Sequence, residues 1–273
     1  MSGALTVLDW GTTHVRAALL DQVGTVLEER EGISGIGRDD AKQLAVRFDD
    51  LVADWPIVPA IAAGMIGSRQ GWQEAAYVDL PVSTDQLAQS LTQFQHNERT
   101  IAIVPGLAVK ADDHHDVMRG EESQIAGLIA QNPKLDATLI LPGSHSKWVR
   151  VDKGAVTSFQ TYLTGEAFKA FGEHTILRHS IAENQSSWNM SAFDEALKDY
   201  HARPGSIWGQ LFPIRAAMLL GAEKVKSARE SLSAALIVQE FQAAMHGSTN
   251  DMHCLGIKSV LHCRLELLHD QRG

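Results

Sequence analysis

Residues 5–26 read LTVLDWGTTHVRAALLDQVGTV, an apolar run that ends in an acid, passes through Gly-Thr-Thr and turns apolar again. Ala4 to Leu8 has the composition of a short buried strand, Val15 to Leu20 of a second, and Thr25 to Glu29 of a third after the Asp21-Gln22-Val23-Gly24 turn. The Gly-Thr-Thr loop therefore joins two strands of a meander. The P-loop and the dinucleotide-binding loop instead open a helix after their strand. The few residues between Thr13 and Asp21 leave no room for that helix. The GISGIG stretch at 32–37 has the wrong spacing for the dinucleotide motif.

A second stretch, ATLILPGSHSKWVRVDKGAVTSF at 137–159, has the same grammar: strand, Gly143-Ser144-His145-Ser146, a strand from Lys147 to Val151, a turn, and a strand from Ala155 to Phe159. Superimposing Gly11 on Gly143 brings the Asp21 turn within one or two residues of the Asp152-Lys153-Gly154 turn. A domain-sized duplication follows, with one phosphate loop in each copy gripping a polyphosphate across a cleft through backbone N–H groups and hydroxyls. The copies differ at one position. Asp9 precedes the first Gly by two residues, whereas Leu141 holds that place in the second. One carboxylate beside phosphate oxygens and water suits Mg²⁺.

Composition sets the outer limits. A chain of 273 residues has room for roughly two domains, and 44% apolar with 21% charged residues is ordinary for a globular protein. The net charge of −9 and the lack of any Lys/Arg-rich run argue against nucleic acid as partner. No apolar stretch nears the roughly 18–20 residues of a membrane span, and no secretory pattern opens the chain. The two cysteines, Cys254 and Cys263, are too few and too local for a disulfide framework, so a cytoplasmic protein is expected. Their pairing with His253 and His262 lacks the close spacing of zinc ligands, and DDHHD at 112–116 reads as a solvated polar connector.

Two paired strand–turn–strand loops resemble those of the actin, hexokinase and Hsp70 superfamily. Within it, DWGTTHVRAAL at 9–19, AGMIGSRQGW at 63–72, VMRGEESQIAG at 117–127, LPGSHSKWVRV at 141–151 and FQTYLTGEAF at 159–168 together resemble the 2-dehydro-3-deoxygalactonokinase family. The resemblance implies an α/β fold of two duplicated ribonuclease H-like, actin-like ATPase domains, with mixed sheets flanked by helices and a cleft between. The domains would be residues 1–112 and 113–273. It also implies ATP-dependent, Mg²⁺-assisted phosphorylation of the 6-hydroxyl of the sugar acid 2-dehydro-3-deoxy-D-galactonate, in galactonate breakdown. A homodimer is left open.

Roles follow for individual residues. Asp9 is expected to hold the metal, with Gly11, Thr12 and Thr13 on the phosphate; Gly143, Ser144, Ser146 and Lys147 form the opposing loop. Arg16 either reaches phosphate or is solvated. Gly67, Ser68, Arg69, Gln70 and Trp72 offer hydrogen bonds and an aromatic face to a polyol, the alternative being a plain turn with Trp72 in a core. A helix is predicted from about Gly120 to Gln131, ended by Pro133. Its first turn holds Glu121 and Glu122, either of which could be the base that deprotonates the attacking hydroxyl, or simply a favourable charge at a helix start. Glu166 is the reserve base, and Arg119 is expected to pair with the substrate carboxylate.

One segment departs from the family pattern. Where relatives carry LSGLLIG.E along a nucleotide-lining helix, residues 232–240 read LSAALIVQE. Val238 in place of a glycine is expected to crowd the nucleotide. The tail from Ser248 to Gly273 follows the family only loosely and ends early. An incomplete C-terminal domain, and with it a catalytically weak or inactive relative that only binds sugar acids, is the competing expectation.

Overall fold

The structure is a computed structural model and describes residues 3–111, 114–182, 187–203, 205–221, 227–245 and 252–254. The chain forms two compact units, residues 1–136 with 150–159 and residues 137–149 with 160–273.

In unit 1 the opening meander folds as its alternation dictates. Strands β1 (Leu5–Trp10), β2 (His14–Leu20) and β3 (Val26–Ile33) are consecutive antiparallel neighbours. Asp21 ends the second strand by accepting the N–H groups of Val23 and Thr25 on Oδ1 at 3.0 and 2.8 Å. Helix α1 (Ala41–Leu51) starts in a capping box between Asp40 and Gln43, and returns the chain to β4 (Ala60–Gly64), which lies parallel to β1. A 3-10 turn (Met65–Gly67) follows. Then come β5 (Tyr77–Asp79), β6 (Val82–Ser83), α2 (Thr84–Gln89), β7 (Thr92–His96), β8 (Arg99–Ile103), β9 (Gly106–Ala111) and β10 (His114–Met118). The main sheet is mixed, ordered β3-β2-β1-β4-β8-β7, and β10-β9-β5 form a smaller one.

One face of the main sheet makes the core. Leu8, Trp10, Val15, Ala17 and Leu19 project there and bury Leu44 and Phe48 of α1 together with Ile66 and Trp55. The opposite face of the first three strands, with Val7, Asp9, Arg16, Ala18, Glu29 and Glu31, lines a groove of about 390 Å³. Residues from His114 onward are a strand, not the expected polar connector: β10 pairs antiparallel with β9, and its alternating exposed and covered residues need no long apolar run. Helix α3 (Glu121–Gln131) packs on α2, so residues 114–136, grouped with the second domain on sequence, belong to unit 1.

Strands β11 (Ala137–Leu141), β12 (Ser146–Asp152) and β13 (Ala155–Tyr162) follow as expected, and β14 (Met252–Cys254) lies parallel to β11. Unit 2 then adds α4 (Thr164–His174), α5 (Arg178–Ala182), α6 (Met190–Ala202), α7 (Ile207–Leu219) and α8 (Ala228–Ala244). Helix α8 packs against α4, α6 and α7. It is buried nearly all round, with Leu232, Ala234, Leu236, Val238 and Phe241 in apolar clusters. Among the described residues no helix is long and apolar enough to cross a membrane.

Candidate active site

The Asp9-to-Thr13 loop is a tight turn on a buried anchor. Gly11 N–H donates to His14 O at 2.9 Å, leaving Thr12 and Thr13 exposed at the tip. Beneath it Trp10 is completely buried, its indole N–H shared between the carbonyl and hydroxyl oxygens of Ser34 at 3.0 and 3.1 Å. The Ser34 hydroxyl in turn donates to Gly11 O at 2.6 Å, and Ser34 N–H donates to Thr13 O at 3.0 Å. Ser34 pins the loop from three directions. It lies in the GISGIG stretch, whose spacing does not fit a dinucleotide loop and which instead anchors this turn. Asp9, on the face of β1 opposite Trp10, is exposed directly across the ladder from exposed Arg16. Among the described residues the two do not close an ion pair, so both side chains are open to a ligand on the groove face.

The end of β1 also shapes the next loop. Gly64 has φ +95°, and a Cβ there would stand 2.6 Å from Trp10 O, so only glycine lets β4 end against β1. The chain then turns through Ile66, Gly67 and Ser68. A Cβ on Gly67 would meet Arg119 Nη1 at 2.8 Å, so the missing side chain makes room for the guanidinium. Arg119 donates through Nη2 to Ala75 O at 2.7 Å and lies over the Tyr77 ring at 4.4 Å. Its Nε and Nη1 are buried without partners among the described residues, as are Ser68 Oγ, Ser123 Oγ, Glu121 Oε2 and Glu122 Oε1. Buried polar atoms are nearly always paired. The group on Ser68, Arg119, Glu121 and Ser123, gathered at one loop and one helix start, is open to a polar ligand that completes the bonding.

The other expected sugar-loop residues divide. Arg69 and Gln70 are exposed, with Arg69 Nε 3.2 Å from Glu74 Oε1. Trp72 is half-buried against the core: its ring packs against Phe48, Phe94 and His96 at centroid distances of 5.3, 5.2 and 4.7 Å. The core alternative therefore describes Trp72, because β7 brings two further rings to it.

The two glutamates at the start of α3 are not equivalent. Gly120, at φ +110°, precedes the helix; Glu121 is half-buried, while Glu122 is 1% exposed on the stripe that buries Ile125 and Ile129. Gly120 N–H donates to Glu122 Oε2 at 2.6 Å. Burial pushes the Glu122 carboxyl up to about 8, with Glu121 adding to the rise and backbone N–H groups and Arg119 opposing it.

In unit 2 the Gly143-to-Ser146 loop is held by α4. Glu166 N–H donates to Ser144 O at 2.9 Å, and Gly165 leaves room for the loop backbone, since a Cβ there would be 2.4 Å from Gly143 O. Gly143, Ser144 and His145 are exposed, and His145 Nε2 is hydrogen-bonded to Glu166 Oε2. Ser146 and Lys147, also expected at the phosphate, are committed elsewhere. Ser146 is 3% exposed and donates to Glu240 Oε1 at 2.7 Å; Lys147 is 5% exposed and donates to Thr161 Oγ1 at 2.8 Å. They start β12, which is covered on both faces, so these neighbours are buried on opposite sides of the strand and support the loop. Glu240, which also accepts from Trp148 Nε1 at 2.8 Å, is a structural residue whose signal was the last letter of the LSAALIVQE segment.

Residues 9–267 match the 2-keto-3-deoxy-galactonokinase family. This chain belongs to that family. The kinase is 36% identical over 251 residues to the "Probable 2-dehydro-3-deoxygalactonokinase DgoK1" of Rhizobium meliloti (strain 1021), a match covering 90% of this chain and 82% of the relative. It is 34% identical over 257 residues to the 2-dehydro-3-deoxygalactonokinase of Escherichia coli (strain K12), covering 93% and 85%. A crystal structure described as a candidate 2-dehydro-3-deoxygalactonokinase protein from Sinorhizobium meliloti superimposes with a TM-score of 0.86 at 33% identity, over 98% of this chain and 91% of that one.

Membership bears on the altered C-terminus. Val238 of this sugar-acid kinase packs with Ile140, Trp148, Phe193, Ile237 and Phe241, so its methyl groups are absorbed by the core of unit 2. The family match runs through residue 267, into the tail that follows the pattern loosely. That tail, including Cys263 and His262, lies outside the described residues apart from the backbone of Met252–Cys254. Nothing in the fold or the relatives favours the inactive, binding-only alternative.

Proposed function

We propose that the chain transfers the γ-phosphoryl group of ATP to the 6-hydroxyl of 2-dehydro-3-deoxy-D-galactonate in the cytoplasm. The observation that carries this reading within the family is the cluster of unpartnered buried donors and carboxyl oxygen on Ser68, Arg119, Glu121 and Ser123. A sugar acid presents matching groups: hydroxyls for the serines and carboxyl oxygen, and a carboxylate for the free edge of Arg119.

Glu121 is the base in this reading. It is half-exposed and retains an unpartnered oxygen, whereas Glu122 is sealed on the inner stripe of α3 with one oxygen already bonded. Glu121 accepts the 6-hydroxyl proton as that oxygen forms a bond to the γ-phosphorus, and the bond to the leaving ADP oxygen breaks. Arg119 and Ser68 hold the acid end of the sugar and Gly67, Arg69 and Gln70 border it, which fixes the hydroxyl's approach. Arg16, Gly11, Thr12 and Thr13 receive phosphate oxygens in unit 1; in unit 2, Gly143, Ser144 and His145 form an exposed loop of the same kind.

Asp9, a single exposed carboxylate beside two exposed hydroxyls, is a donor set that fits Mg²⁺ carrying water and phosphate oxygens. The ion, when bound, neutralises charge on the phosphates. Neither the fold nor the relatives argue for a homodimer, and a single chain supplies every role named.

ATP consumption with and without the sugar acid and Mg²⁺, followed by phosphorus NMR of the product, tests the proposal. Phosphate coupled to the C6 protons is expected. ATP hydrolysis indifferent to the sugar acid would refute it.

A further inference from the structure

Glu122 is a buried carboxyl for which the transfer step has no use. An ionised carboxylate so deep in a protein is costly, and the group escapes that cost by staying protonated and hydrogen-bonded. Its Oε2 takes the Gly120 N–H, so the side chain folds back over the start of its own helix. Gly120 is the hinge of that turn. Its φ of +110° suits glycine, and a Cβ there would already touch Gly64 Cα at 3.4 Å. Arg119 stands on one side of the hinge and Glu121 on the other.

We propose that Glu122 is a positioning residue: its carboxyl, tied to the Gly120 N–H, holds the turn that presents Arg119 and Glu121 to the sugar acid. The inference rests on the roles given above to those two residues. The groups that act on Glu122 are Glu121, which disfavours its ionisation, and Arg119, which favours it. The adjoining β4 and the 3-10 turn carry no titratable side chain; α2 carries Asp85, and β5 carries Tyr77 under Arg119 and Asp79, which is paired with Lys110 at 2.7 Å. Protonated Glu122 leaves the charge of Arg119 available to an anionic substrate. Ionised Glu122 draws on that charge and repels the carboxylate of the sugar acid.

The test compares the full chain with its Glu122→Gln and Glu122→Ala variants, measuring kcat and KM for 2-dehydro-3-deoxy-D-galactonate between pH 6.5 and 9.5. Gln reproduces the protonated carboxyl in shape and keeps an acceptor for Gly120 N–H, so at pH 7 its KM stays within about twofold of the unsubstituted chain. Ala lacks the acceptor and raises KM about tenfold, the effect of about 1.4 kcal/mol. Above pH 8 the KM of the unsubstituted chain climbs severalfold while that of Glu122→Gln stays flat. An unchanged KM in Glu122→Ala, or a Gln variant whose KM climbs with pH as the parent's does, would overturn the proposal. If the Ala variant does not fold, the Gln profile decides. Absence of sugar-dependent turnover in the unsubstituted chain sinks instead the kinase reading, so the two failures are told apart.

Discussion

Replacing Gly165 with alanine puts a methyl group where the Gly143-to-Ser146 loop now lies. The added Cβ would stand 2.4 Å from Gly143 O and 2.8 Å from Ser144 Cα, both backbone atoms, so no side-chain rotation relieves the clash. Restoring an ordinary contact of about 3.4 Å requires loop and helix to part by about 1 Å. A misplacement of about 1 Å in a site that works by positioning can lower turnover about 10²-fold. Overpacking of this kind also costs about 1–3 kcal/mol of stability, which at this chain length lowers Tm by roughly 2–12 °C.

Gly172 provides the control within the same helix. A Cβ there meets only Ile181 Cδ1 at 3.4 Å. Gly172→Ala should keep full turnover and gain up to about 1 kcal/mol from helix propensity. Steady-state kinetics at saturating ATP and thermal melts followed by circular dichroism read both effects. Gly165→Ala with unchanged kcat and a Tm that rises as in Gly172→Ala would refute the claim that α4 sets the loop.

The raised Glu122 gives a stability prediction with a definite sign. Between about pH 4.5 and 8 the unfolded chain has lost this proton and the folded chain keeps it, so its contribution to stability falls as pH rises through that window and is level outside it. Glu122→Gln removes the titration and should gain on the order of 3 kcal/mol over the unsubstituted chain at pH 7, with no gain at pH 4; equal urea midpoints at both pH values would contradict this. Asp9→Asn should nearly abolish turnover and leave sugar-acid affinity by calorimetry unchanged, whereas a parallel loss of affinity would mean that Asp9 shapes the fold. Ser34→Ala deletes the two hydroxyl contacts to the loop, with Trp10 Nε1 and Gly11 O, and should cost about 1–3 kcal/mol along with a lower kcat; a stable, fully active variant would show that the hydroxyl does not hold the loop.

The opening meander was legible because every determinant is local: alternation from Val15 to Leu20, an Asx turn at Asp21, and a loop too short for a helix. The second loop and the start of α3 were legible for the same reason. What sequence could not supply were partners brought from far along the chain. Trp72 looks like a ligand platform until β7 delivers Phe94 and His96, and Ser146 looks like a phosphate ligand until α8 delivers Glu240. The Glu121–Glu122 choice turned on helical phase: both lie in the first turn, but only Glu122 shares a stripe with Ile125 and Ile129. Strand β10 hid because His114, His115 and Asp116 are polar, although one face of a small antiparallel sheet tolerates that.

The roles assigned at the start of α3 meet their most direct test in the phosphorylation rate of 2-dehydro-3-deoxy-D-galactonate by Glu121→Gln and Glu122→Gln, measured side by side at pH 7. Loss of a general base should lower kcat for Glu121→Gln about 10²–10⁴-fold, while Glu122→Gln stays near the unsubstituted rate. The reverse order, with Glu121→Gln active and Glu122→Gln dead, would contradict the account.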